Sequence, residues 1–147
     1  MKRLWIGAFV GLMLAAASAW GAEKVESPKS CAQCGMDREF FAYSRMLIRY
    51  ADGTSAGVCS INCAVTELKQ NKRKQVVVLL VADYAGKALM DARSATWVTG
   101  GKKPGVMTPL PKWAFAKRED AQMFVRENGG TITGFDDALD LAIKENE

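Results

Sequence analysis

The chain has no histidine. That closes the imidazole routes to zinc-dependent hydrolysis and to Ser/His or Cys/His catalytic dyads. Cysteine is scarce, with four in 147 residues, all of them in two short groups. Excess charge is scarce as well. The formal net charge is +4, of which Lys2 and Arg3 supply two, too weak a surplus to argue for nucleic acid or an anionic membrane. Long apolar runs are also missing: the uncharged stretch from Leu4 to about Ala17 is shorter than the ~20 residues a spanning helix needs. The length fits one ordinary domain with a real core.

A basic Met1-Lys2-Arg3, the short apolar run and the small residues Ala17-Ser18-Ala19 and Ala19-Trp20-Gly21 describe a secretory signal over residues 1–21, cut near 19–22. No cysteine follows the run directly, so no lipid anchor is evident. The mature chain is expected to be periplasmic and soluble. Residues 22–30, polar and holding Pro28, are expected to form a flexible leader.

What is present is sulfur. Cys31-Ala-Gln-Cys34-Gly-Met36 places two thiols and a thioether within six residues, and Cys59-Ser-Ile-Asn-Cys63 uses the remaining cysteines. Soft donors at this density favour a soft metal, Cu(I) ahead of zinc once methionine is counted. In an oxidising compartment the ordinary alternative is a disulfide framework. A domain this size does not need staples, however, and Cys-x-x-Cys with Cys-x-x-x-Cys suits chelation better.

The elements expected around these groups start with a strand over Phe40–Tyr50 that buries Met46, Ile48 and Tyr50 and turns Arg45 and Arg49 outward. A hairpin follows at Asp52-Gly53, with a return strand over Thr54–Val58. Ser60 can cap a helix carrying Ile61, Val65 and Leu68 on one face. Cys63 falls in its first turn, where the dipole favours thiolate. Gln75–Ala82 reads as a strand buried on both faces. The same order recurs in Ser94–Thr99, Lys112–Ala116, a helix over Lys117–Asn128 stopped by Gly129-Gly130, and Thr131–Gly134. A last helix spans Asp136–Glu145. The expected fold is therefore α+β: two tandem ββαβ units, about 31–84 and 90–135, plus a C-terminal helix over 136–146, within one metal-binding domain from 31 to 147.

Cys34-Gly35-Met36, the Asp52-Gly53 hairpin, Trp97-Val98, Met107, Ala114-Phe115, Asp120-Ala121, Phe124, Gly129-Gly130 and Phe135 occur in an order that resembles the NosL family over about Cys31 to Ile143. The resemblance implies a periplasmic Cu(I)-binding accessory protein, in the best-known members a chaperone for nitrous oxide reductase maturation, with a tandem ββαβ fold related to organomercurial lyase. It maps the copper site onto Cys34 and a methionine, either Met36 or Met107. Met107 lies between Pro104 and Pro109, where an exposed methionine is poor core material. The pair Cys59/Cys63 departs from many members and is similar instead to YHS or TRASH metal modules, so that Cys31, Cys34, Cys59 and Cys63 either hold zinc structurally or widen the copper site.

Three functions follow. A copper carrier needs few soft ligands and an open site, plus a partner: a copper-accepting exported protein or a membrane copper transporter. A structural or sensing zinc module would be closed and tetrahedral. An enzyme would be a thiol oxidoreductase using Cys31 and Cys34, for which the strand-to-helix context is missing, or a carbon–mercury lyase, which rests on fold analogy alone. The carrier is the preferred reading, with no catalytic residue assigned.

Overall fold

The computed structural model describes residues 25–147; the expected signal segment, its cleavage position and the start of the leader lie outside the described residues. Strand β1 (Met46–Tyr50) turns at Asp52-Gly53 into β2 (Ser55–Val58), which runs straight into helix α1 (Ile61–Gln70) and on to β3 (Val76–Ala82). A short β4 (Leu89–Asp91) leads to β5 (Thr96–Thr99), β6 (Lys112–Phe115), helix α2 (Arg118–Asn128), β7 (Thr131–Thr133) and the C-terminal helix α3 (Phe135–Glu145). Both sheets are antiparallel, ordered β2-β1-β3-β4 and β6-β5-β7. In each, the unit's first strand lies between its second and third, so the two ββαβ units repeat in space as well as in order.

The turn chemistry explains the breaks. Gly53 takes φ 84° and the Asp52 carboxylate accepts from Thr54 N at 2.9 Å, closing the hairpin. Gly129 and Gly130 also have positive φ, which stops α2 and reverses the chain into β7. Helix α1 buries Ile61, Ala64 and Val65, and α3 buries Phe135, Ala138 and Ala142. The units join through aromatic edges: Tyr84, at the end of β3, packs against Trp113, Phe115 and Phe124, and its amide donates to Ala114 O at 2.8 Å.

Several expectations are corrected. The strand expected over Phe40–Tyr50 begins only at Met46; residues 37–44 form tight turns, because the Asp37 carboxylate accepts from Glu39 N and Phe40 N and curls the chain there. Arg45 does not face outward. It is fully buried, its guanidinium donating to the Glu26 carboxylate and to the Ala42 and Lys87 carbonyls, while Arg49 is exposed. The same Glu26 anchors the stretch read as a flexible leader: Val25 is buried, Glu26 also pairs with Arg38, and Ser30 bridges to Asp37. Strand β3 is not buried on both faces, since Val77 is 54% exposed. Strand β4 lies in a segment for which no element is expected; with three residues it is too short to carry a period.

Candidate metal centre

Two stretches of chain deliver four sulfurs to one place. The loop Cys31–Met36 is a closed turn: Cys31 N donates to Met36 O at 2.8 Å and Gly35 N to Cys31 O at 2.9 Å, with Gly35 at φ 75°. Only glycine takes that conformation freely. Ala32 N donates to Gly57 O at 2.9 Å, tying the turn to β2. Behind it lies Arg38, fully buried, which donates to the carbonyls of Glu26, Pro28, Met46 and Val58 and pairs with the Glu26 carboxylate. Gln33 reaches across to Glu67 of α1 at 2.5 Å. From the other side, β2 leads directly into Cys59, and Ser60 caps α1 by accepting from Cys63 N at 3.3 Å. The cap fixes Cys63 in the first turn, as its sequence position requires.

The thiol sulfurs of Cys31, Cys34, Cys59 and Cys63 all lie within 4.8 Å of one another, and all four cysteines are free. Cys34 Sγ is 3.5 Å from Cys59 Sγ, which is 3.7 Å from Cys63 Sγ. Cys31, Cys59 and Cys63 are buried and Cys34 is half-exposed, so the cluster has one accessible corner. A metal–sulfur bond of ~2.3 Å sets sulfur separations of about 3.8 Å in a tetrahedron, about 4.0 Å in a trigonal plane and about 4.6 Å in a line. The 3.5 and 3.7 Å separations lie nearest the tetrahedral value, and the donors are sulfur alone, which suits a soft ion.

Three of the thiols perturb one another. Hydrogen bonds from the Cys59 and Cys63 thiols hold Cys31 far below the usual thiol range, and Cys59 N adds a contact to Cys31 Sγ at 3.4 Å. Donating to Cys31 pushes Cys59 and Cys63 up, and burial adds to both shifts. At Cys63 burial and the neighbouring sulfur of Cys31 thus oppose the thiolate that the helix dipole favours.

The methionines are placed differently. Met36 is half-buried and packs beside the core that contains the thiols. Met107 is 53% exposed, in the loop between β5 and β6, and is one of two non-glycine residues with positive φ among the described residues, at 55°. Sequence reasoning missed the buried supports Arg38 and Glu26. One signal existed: an isolated glycine in a strand marks a close approach, and a Cβ at Gly57 would lie 2.4 Å from the Arg38 guanidinium.

The NosL family model matches residues 22–142. The chain belongs to the NosL family. The crystal structure of the copper chaperone NosL from Shewanella denitrificans is similar to it with a TM-score of 0.59 and 22% identity, covering 79% of this chain and 93% of that one. At that identity the likeness shows the fold. No curated protein matches the chain. No described helix of this NosL-family chain is long and apolar enough to cross a membrane.

Proposed function

We propose that the chain is a Cu(I) carrier of the periplasm that delivers copper to a partner metalloprotein, with nitrous oxide reductase as a candidate acceptor, and that it is not an enzyme. The observation that carries this reading is the sulfur-only pocket with Cys34 as its open corner. Thiolates give affinity for a soft ion, and an exposed corner lets a partner's ligand enter before the chain's own ligands leave. Family membership and the solved copper chaperone of the same fold support the same direction. In this reading Cys34 and Met36 meet the ion first, Cys31, Cys59 and Cys63 hold it from beneath, and Met107 supplies a further thioether.

Competition titration with a Cu(I) chelator tests it. Wild type is expected to take up Cu(I) with high affinity, and Cys34→Ser to lose at least a hundredfold; unchanged affinity in Cys34→Ser overturns the site. Transfer is tested by mixing loaded protein with apo-acceptor and following copper after separation.

A second reading has its own observation. The 3.5 and 3.7 Å sulfur separations lie near the edge of a metal-centred tetrahedron, the geometry of a closed zinc site. Protein purified with one equivalent of zinc that Cu(I) does not displace would decide for it.

A further inference from the structure

Lys112 opens β6 and its side chain is fully buried, yet it belongs neither to the sulfur cluster nor to the apolar core. Its ammonium lies 2.6 Å from Glu145 Oε2 at the end of α3, 2.9 Å from Leu110 O, 3.1 Å from Thr108 Oγ1 and 3.4 Å from Asn62 Oδ1. Glu145 in turn accepts from Asn62 Nδ2 at 2.7 Å, from the Thr108 hydroxyl at 2.7 Å and from Leu110 N at 3.2 Å. One ion pair therefore clasps three segments: the end of α3, the loop that carries Met107, and the first turn of α1, where Asn62 adjoins Cys63.

An ion pair whose ammonium is fully buried is weak evidence for added stability, and one use of such a pair is to fix one arrangement. Here the arrangement fixed is that of a strained loop. Met107 is held at a positive φ that a non-glycine residue adopts only when its surroundings impose it. On either side the backbone has no slack: Val106 is buried in the core, Thr108 is bound to Glu145, and a Cβ at Gly105 would meet Thr108 O at 2.8 Å. The loop thus holds out a methionine that is 53% exposed.

We infer that the Lys112–Glu145 pair is a positioning latch that holds the Met107 loop against the Asn62–Cys63 turn, so that the Met107 thioether is set for the ion held by the cysteines. This rests on the proposed copper site. Neither Lys112 nor Glu145 touches the ion; they act through Thr108 and Asn62.

The test is a double-mutant cycle read by Cu(I) competition. Met107→Leu is expected to weaken binding about tenfold, Glu145→Gln by a similar factor, and the two together by no more than either alone. The paired swap K112M with E145L separates positioning from stability: it should melt within a few degrees of wild type and still lose the same tenfold. Methionine-methyl NMR gives a second readout, in which Cu(I) shifts the Met107 methyl in wild type and leaves it in place in Glu145→Gln. Fully multiplicative losses, or a Met107→Leu variant that binds as wild type does, overturn the latch while leaving the copper site standing. Failure of wild type to bind Cu(I) overturns both.

Discussion

Gly57 and Arg38 show what the site asks of single residues. The guanidinium fills the space where any side chain at position 57 would begin, and it donates to four backbone carbonyls. Gly57→Ala must therefore displace a buried charge, and is expected to cost about 2–3 kcal/mol in a urea melt of the metal-free protein; a loss under about 0.5 kcal/mol would show that the guanidinium yields freely. At this scale the cysteines were legible because their chemistry is written in their identity and spacing. Their supports were not. Arg38 and Arg45 look like surface charges in any linear pattern, and only the pairing with Glu26, inside a stretch that reads as leader, makes burial affordable. The upward shift at Cys63 was illegible for the same reason, since it depends on Cys31, a neighbour distant in the chain.

Among the elements, α1 bears most directly on the metal centre, because its first turn presents Cys63 while its buried face carries Ile61, Ala64 and Val65. Its start depends on Ser60, an extended residue whose hydroxyl accepts from the Cys63 amide. Ser60→Ala is expected to lower stability by about 1 kcal/mol in denaturant unfolding, and to weaken metal binding as well if the proposed site is right, because the turn that frays is the one carrying Cys63. A Ser60→Asp variant should recover the stability; failure to do so would argue against capping. Helix starts, glycine stops and the hairpin were readable from local signals that need no partner. The early part of the Phe40–Tyr50 run was not: its aromatic residues suit a strand, but the Asp37 carboxylate claims the amides that a ladder would need. Strand β3 reads as fully apolar yet leaves Val77 in the open, because how far a covering layer extends is a property of its neighbours.

For the molecule as a whole, the acid limb of stability is expected to run through Glu145. Burial works against its carboxylate, but hydrogen bonds from Lys112, Asn62 and Thr108 hold it at about 2 rather than the usual 4.5. A carboxylate lowered on folding stabilises the native state above its unfolded value, and that contribution is lost as pH falls from 4.5 towards 2. Thermal melts should fall across this window in wild type and change less in Glu145→Gln; parallel curves would mean that the pair does not tie the chain's end to its middle. The sulfur cluster implies another global property. Its donors come from two stretches of chain, one before β1 and one after β2, so an ion seated there is a tether between parts that otherwise meet through soft contacts and a few amide bonds. Linkage then makes the loaded form the more stable one, by ~4 kcal/mol when free ion exceeds its dissociation constant a thousandfold. Amides of residues 31–36 and 59–63 should exchange hydrogen more slowly once loaded, and a protease should cut the empty protein first. Departure of a bound ion would thus leave a physical record in the chain, legible as a loss of stiffness.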